Sequence, residues 1–294
     1  MTMIRCFFLI YLIFPGILWG GTIHIVPAEV PAGGAAVLHY VGPPVAYGVA
    51  RFGDALIHLS PTEYGAAALL GIELEAEPGD HTVRVMLSDP RGRTFFEQKS
   101  LRVYQQERLR EHLTLPKQMV SPQAPEILRR IDLERRELQT LFRRITPGSW
   151  PGEFHLPVSS PVSSVFGLQR ILNGTPRSPH SGVDFRSPSG TPVKAPAPGR
   201  IAFAGDLYYT GKTIILDHGE GLYSLFAHLQ AVETHQDQPI RQGEVLGKTG
   251  STGRSTGPHL HWGIVWRGKR IDPLFLTDIL SPKNLDSFLS RGDN

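Results

Sequence analysis

Five side chains of this sequence could share one chemical task. His180 and Asp184 stand four apart in "SPHSGVDFRSPSG", residues 178 to 190. His259 and His261 stand two apart in "GPHLHWGIVW", and His228 lies in "LYSLFAHLQ". Two histidines and one carboxylate around zinc, with a fourth position left to water, make a working catalytic arrangement. An isolated His and Asp in a turn more often do no more than solvate it, so the rest of the chain has to decide. The 178–190 stretch is rich in serine, glycine and proline, which favour turns and break helices. Its spacing of four is therefore not a helical repeat. Run extended, the even separation puts both side chains on one side, and Gly182 lets the backbone pass close to a metal. On a strand, residues i and i+2 share a face, so His259 and His261 can aim into one pocket. His228 reads as the end of a strand, on the face of Phe226 and Ser224.

Other chemistries find no support. There is no H-E-x-x-H for a helical zinc protease, no C-x-x-C and no G-x-S-x-G. "GSTG" and "GKTG" lack phosphate-loop spacing and do not open a helix. The one cysteine, Cys6, falls in the first segment, so no disulfide framework and no thiol nucleophile is expected in a processed chain. A net charge of +3, without a basic stripe interleaved with aromatics, gives no case for nucleic acid. His155, His218 and His235 lack ligand spacing and read as structural or solvated. The "RGD" at 291–293 reads as a polar tail.

The elements that must position the five residues come from the pattern of the chain. From about Trp150 to Leu276, short apolar runs are punctuated by glycine, with no helical period, which predicts an antiparallel β domain of hairpins. We bound it at 150–276, with a C-terminal tail at 277–294. Residues 22–104 also alternate: "AAVLHYV", "ALIHLS" and "HTVRVMLS" are separated by "VGPP", "EPGD" and "DPRGR". This predicts a small β-sandwich whose histidines, His24, His39, His58 and His81, are scattered one per strand. Between the two, residues 105–149 form a linker. Its "APEILRRIDLERRELQTLFRRITPG" places Ile127, Ile131, Leu138, Leu141 and Ile145 at helical spacings, predicting an amphipathic helix over 123–146 stopped by Pro147-Gly148. Its paired arginines read as a solvated face with acidic partners three or four residues away. The whole is mainly β.

The first 20 residues have one Arg, an apolar run from Cys6 to Leu18 and a small-residue exit, the layout of a signal peptide. An uncleaved membrane anchor is the alternative. Either way the expectation is an exported protein of a bacterial periplasm or cell envelope.

With these residues in place, a resemblance follows. "NGTPRSPHSGVDF", "GTPVKAPAPGRI", "LDHGEGLYSLFAHL" and "GSTGRSTGPHLHWGI", in that order, resemble the lysostaphin-type zinc metallopeptidases that cut peptidoglycan cross-bridges. The match covers roughly residues 150 to 275. It implies an antiparallel β metallopeptidase fold and one Zn2+ held by His180, Asp184 and His261. It also implies two catalytic histidines that are not ligands, His228 and His259. An imidazole suits proton transfer near neutral pH; we assign His259 as the base and His228 as the stabiliser of the oxyanion, the reverse order being the alternative. "FAHL" departs from a more usual tyrosine-containing form, which touches only the groove. Arg170 and Asn173 either shape the groove or are turn and surface residues. The front half resembles the sandwich and helical linker that precede such domains in some Gram-negative envelope proteins. The implied substrate is peptidoglycan peptide. A non-catalytic wall-binding or hydrolase-activating protein of the same fold is the alternative, disfavoured because all five residues are present.

Overall fold

The computed structural model describes residues 20–63, 65–114, 122–148 and 152–289. The signal segment up to residue 19, Trp150 and the RGD tripeptide lie outside the described residues. No described helix is long and apolar enough to cross a membrane.

Among the described residues the front region holds nine strands: β1 (Thr22–Val26), β2 (Glu29–Pro31), β3 (Ala35–Val41), β4 (Tyr47–Phe52), β5 (Ala55–His58), β6 (Ser60–Thr62), β7 (Gly65–Gly71), β8 (Gly79–Ser88) and β9 (Thr94–Tyr104). They make two sheets, ordered β1-β3-β7-β6 and β2-β9-β8-β4-β5. Alternation builds β8: Val83, Val85 and Leu87 are buried while Thr82 and Arg84 face out. β3 is different, with Ala35 through Tyr40 all buried, because it is covered on both faces. His39 is caught in this strand with no hydrogen-bond partner for either ring nitrogen among the described residues. Burial, and then the charge of His24, push its pKa down to about 4.

The linker contributes β10 (Arg110–Leu113) and α1 (Pro125–Phe142). Pro125 opens the helix, where its missing N–H costs nothing. The helix ends at Phe142, short of the expected boundary. There the chain peels onto a sheet, with the Tyr223 hydroxyl donating to the Arg144 carbonyl at 2.8 Å. Leu138, Leu141 and Phe142 pack on Ile215, Tyr223, Leu225 and Val265. Ile145 is 51% exposed and lies outside the stripe. The paired arginines have acidic partners as expected: Arg130 with Glu134 at 2.6 Å and Arg136 with Asp132 at 2.8 Å.

The rest of the strands are β11 (Val162–Ser164), β12 (Gln169–Leu172), β13 (Thr175–Pro176), β14 (Val183–Phe185), β15 (Pro192–Lys194), β16 (Gly199–Leu207), β17 (Gly211–Gly219), β18 (Leu222–Val232), β19 (Pro239–Ile240), β20 (Val245–Thr249), β21 (Leu260–Trp266) and β22 (Lys269–Ile271). The large sheet runs β11-β14-β21-β18-β17-β16-β19, with β15, β20 and β22 attached beside it. β10, β12 and β13 form a separate small sheet in which β10 runs parallel to β12. The residues after 271, a tail by sequence from 277, form α2 (Pro273–Ile279) and α3 (Pro282–Leu289). Asp272 caps α2 by accepting from the Leu274 N–H at 2.9 Å.

One apolar core runs through the front and rear of the molecule. Val37, Leu38 and Leu70 belong to the same buried cluster as Trp266, Leu276 and Leu280. A Cβ on Gly71 would fall 2.7 Å from the Trp266 ring, and the Asp272 N–H donates to the Gly33 carbonyl at 2.7 Å. α2 and α3 lie against β3, which is why that strand has no exposed face.

Candidate active site

β14 pairs with β21 in a register that sets Asp184 opposite His261. Opposed residues of an antiparallel pair share a face, so the carboxylate and imidazole are brought together by strand pairing alone. His180 precedes β14 in an irregular stretch. Backbone bonds to the preceding turn hold it, from His180 N to Leu168 O at 2.8 Å and from Gly167 N to His180 O at 2.9 Å.

Three atoms converge. His180 Nε2 lies 3.0 Å from Asp184 Oδ1 and 3.0 Å from His261 Nδ1, and Asp184 Oδ1 and His261 Nδ1 are 2.7 Å apart. His180 donates its Nδ1–H to the Val165 carbonyl at 2.9 Å, which leaves the Nε2 lone pair for the cluster. All three residues are buried. Zinc bonds of about 2.0–2.1 Å make a tetrahedron with edges of about 3.3 Å, so the triangle fits three of its corners. Among the described residues, this is the one group of three such donors close enough to hold a metal. Burial pushes the Asp184 carboxyl up, but hydrogen bonds and charge from His180 and His261 outweigh it and hold it far below the usual carboxylate range. Burial carries His261 down to about 4, against the pull of Asp184. Asp184 is therefore a carboxylate and His261 a neutral imidazole, the protonation states a metal needs.

Gly182 lets the backbone pass close to the His261 imidazole. An added Cβ would stand 2.8 Å from His261 Cε1 and press on the Trp262 carbonyl oxygen.

His228 corrects the sequence reading in two respects. It does not end a strand, since β18 continues to Val232, and it leaves the face of Phe226 and Ser224. Its φ of 60° and the register shifts around it mark a bulge, a device that re-aims a side chain. Ala227 pairs with His261, and the bulge turns His228 to that side. Its ring lies 4.7 Å from that of His259 and 6.1 Å from that of His261. Burial, with the charges of His261 and His259, pushes its pKa down to about 3.

The glycine-rich loop 250–258, empty of chemistry by sequence, seats both of these histidines. The Thr252 carbonyl accepts the Nδ1–H of His228 at 2.8 Å, and the Gly257 carbonyl accepts that of His259 at 2.8 Å. Both Nε2 atoms are thereby left free for the site, and that of His259 lies 3.9 Å from Asp184 Oδ1. The H-x-H spacing could have pointed to a carbonyl-rich loop just upstream; nothing local pointed to Thr252.

Arg170 and Asn173 part company. Asn173 and Gly174, with φ of 50° and 79°, are the turn between β12 and β13. Arg170 reaches inward, its Nη2 donating to Asp184 Oδ2 at 2.5 Å. His218 is buried and structural, donating Nδ1–H to the Pro198 carbonyl at 2.7 Å and accepting from the Ser224 hydroxyl at 2.8 Å. His155 and His235 are exposed.

Peptidase family M23 matches residues 178–273, a span that contains all five site residues. A Pseudomonas aeruginosa chain solved by crystallography and described as an M23 peptidase superposes with a TM-score of 0.64 at 33% identity, over 84% of this chain and 94% of that one. The chain belongs to peptidase family M23. Among curated M23-like relatives, the DD-carboxypeptidase/endopeptidase Mpg of Neisseria meningitidis is 44% identical over 95 residues, 32% of this chain. The peptidoglycan DD-endopeptidase ShyA of Vibrio cholerae is 34% identical over 114 residues, 38% of this chain. This M23 chain matches 22% and 26% of the length of these two relatives.

Proposed function

We propose that this protein is a zinc-dependent endopeptidase that hydrolyses peptide cross-links of bacterial peptidoglycan. The observation that carries the reading is the triangle of His180 Nε2, Asp184 Oδ1 and His261 Nδ1, with two further imidazoles facing it. Membership of M23 and the names of its relatives supply the substrate class. Zinc held by these three residues supplies a Lewis acid for the scissile carbonyl and lowers the pKa of water to about 7.

The remaining work falls to the chain's own side chains. With no glutamate base in the motifs that carry the five residues, an imidazole must accept the proton of the attacking water. His259 takes that role through Nε2, the atom its bond to Gly257 leaves open. It then returns the proton to the leaving amine. His228, its Nδ1–H spent on the Thr252 carbonyl, holds the oxygen on which negative charge develops once its Nε2 takes up a proton, because the neutral ring has only a lone pair to offer there. Asp184 and Arg170 are buried or half-buried beside the site and keep its charge fixed.

The reading includes export to the periplasm or cell envelope, where this substrate lies. The test is to digest purified sacculi with the zinc-loaded full chain and identify the released muropeptides. Cross-linked dimers should fall and monomers rise. Unchanged sacculi with stoichiometric zinc bound would overturn the reading and favour a wall-binding protein.

A further inference from the structure

The linker reaches the site through one ion-paired chain. β10 runs parallel to β12 with Glu111 in register with Arg170. Arg170 Nε donates to Glu111 Oε2 at 3.3 Å, while its Nη2 donates to Asp184 Oδ2 at 2.5 Å. The ligand carboxylate is thus shared: Oδ1 faces His180 and His261, and Oδ2 belongs to Arg170. A guanidinium is planar and rigid, so the group that fixes Nε also fixes the plane in which Nη2 lies. Asp184 cannot rotate to offer both oxygens to a metal while that bond holds.

We propose that Arg170 is a positioning residue for the Asp184 carboxylate, that Glu111 orients it, and that the linker strand thereby sets how tightly the site holds its metal. The proposal rests on the zinc reading above and extends it to residues outside the metal cluster. Glu111 and Arg170 are 28% and 26% exposed, so the pair can open without unpacking a core, whereas Asp184 is buried. Arg254 and Arg170 act on each other as like charges, which leaves Glu111 as the acid that balances Arg170 on its outer side. Partners of this kind that orient metal ligands change metal affinity by about ten- to a hundred-fold when removed.

The test uses the full chain, stripped with a chelator and titrated with zinc against a competing chelator, and with cobalt for its visible absorption. Arg170→Ala should weaken zinc binding by about a hundred-fold and shift the cobalt bands, and Arg170→Lys should not restore either. Glu111→Gln, a half-exposed isosteric change, should weaken zinc by about ten-fold with the metal-free melting temperature unchanged, and Glu111→Asp should recover most of it. Wild-type zinc affinity and cobalt spectrum in both Arg170→Ala and Glu111→Gln would overturn the proposal. A loss in Arg170→Ala alone would overturn the part played by the linker. A wild-type chain that takes up no zinc would overturn both this proposal and the proposed function, which separates the two failures.

Discussion

At the scale of residues, five side chains divide into two groups with different tests. His180, Asp184 and His261 share atoms at about 3 Å, so removing one should release the metal. His261→Ala is expected to lose zinc and activity together, measured by metal content of the purified chain. Stoichiometric zinc in that variant would make the ligand assignment wrong. His228 and His259 stand one step back, each anchored through Nδ1 to a loop carbonyl. Each alanine variant is expected to keep zinc and lose activity on sacculi by about two to four orders of magnitude, the usual worth of a proton-transfer or charge-stabilising group. Zinc loss in His259→Ala would mean that the two members of the H-x-H pair exchange roles. The five candidates could be gathered from the sequence because strand alternation and loop composition are local properties, whereas their division into ligands and non-ligands rests on the family resemblance. The placement of His228 was not legible, since a bulge with φ of 60° breaks the alternation that the reading relied on. The contact of Arg170 with Asp184 joins residues fourteen apart across two strands of different sheets, and no local pattern encodes it.

At the scale of elements, the helix shows how a stripe can be right in kind and wrong in extent. Its period was visible, but only Leu138, Leu141 and Phe142 find a sheet to cover them, while Leu128 and Leu133 stay 47% and 60% exposed. Phe142 also lies edge-on to Tyr223, with ring centroids 5.6 Å apart. Phe142→Ala is expected to cost about 3 kcal/mol in denaturant unfolding, the low end for a buried aromatic, with zinc stoichiometry unchanged. A loss below about 0.5 kcal/mol, the level of an ordinary surface change, would show that the helix end contributes nothing to the sheet. β10 escaped the sequence reading because a four-residue strand beside a proline-bounded connection has no period to detect, and its partner lies in another part of the chain.

At the scale of the whole molecule, acid and truncation probe the same shared core. His39 has a folded pKa of about 4 against an ordinary 6.5, so below 6.5 the unfolded chain binds a proton that the folded chain refuses. Stability is therefore full above pH 6.5 and falls as pH drops toward 4, by an amount on the order of a few kcal/mol for this group. His218, carried to about 4 by burial, adds to the same trend. His39→Leu should flatten the fall in melting temperature between pH 7 and pH 5; an unchanged slope would remove His39 as its source. A fragment beginning at residue 152 uncovers Trp266 where it meets Gly71, and Leu276 and Leu280 where they meet the front strands. It is expected to melt at a lower temperature than the full chain, by several kcal/mol at about 1.5–3 kcal/mol for each large apolar side chain uncovered. Equal melting temperatures would mean that the front and rear cores are energetically separate.

The cover of β3 by α2 and α3 bears on the order in which the chain can be completed during synthesis. The third strand leaves the ribosome more than two hundred residues ahead of the helices that shield its second face. Until those two helices emerge, its apolar side lies open and the front region waits for them. A chain cut short before Pro273 would leave that strand bare, a mark by which quality-control proteases could find it. Completion of the front fold is thus tied to synthesis of the chain through α2 and α3.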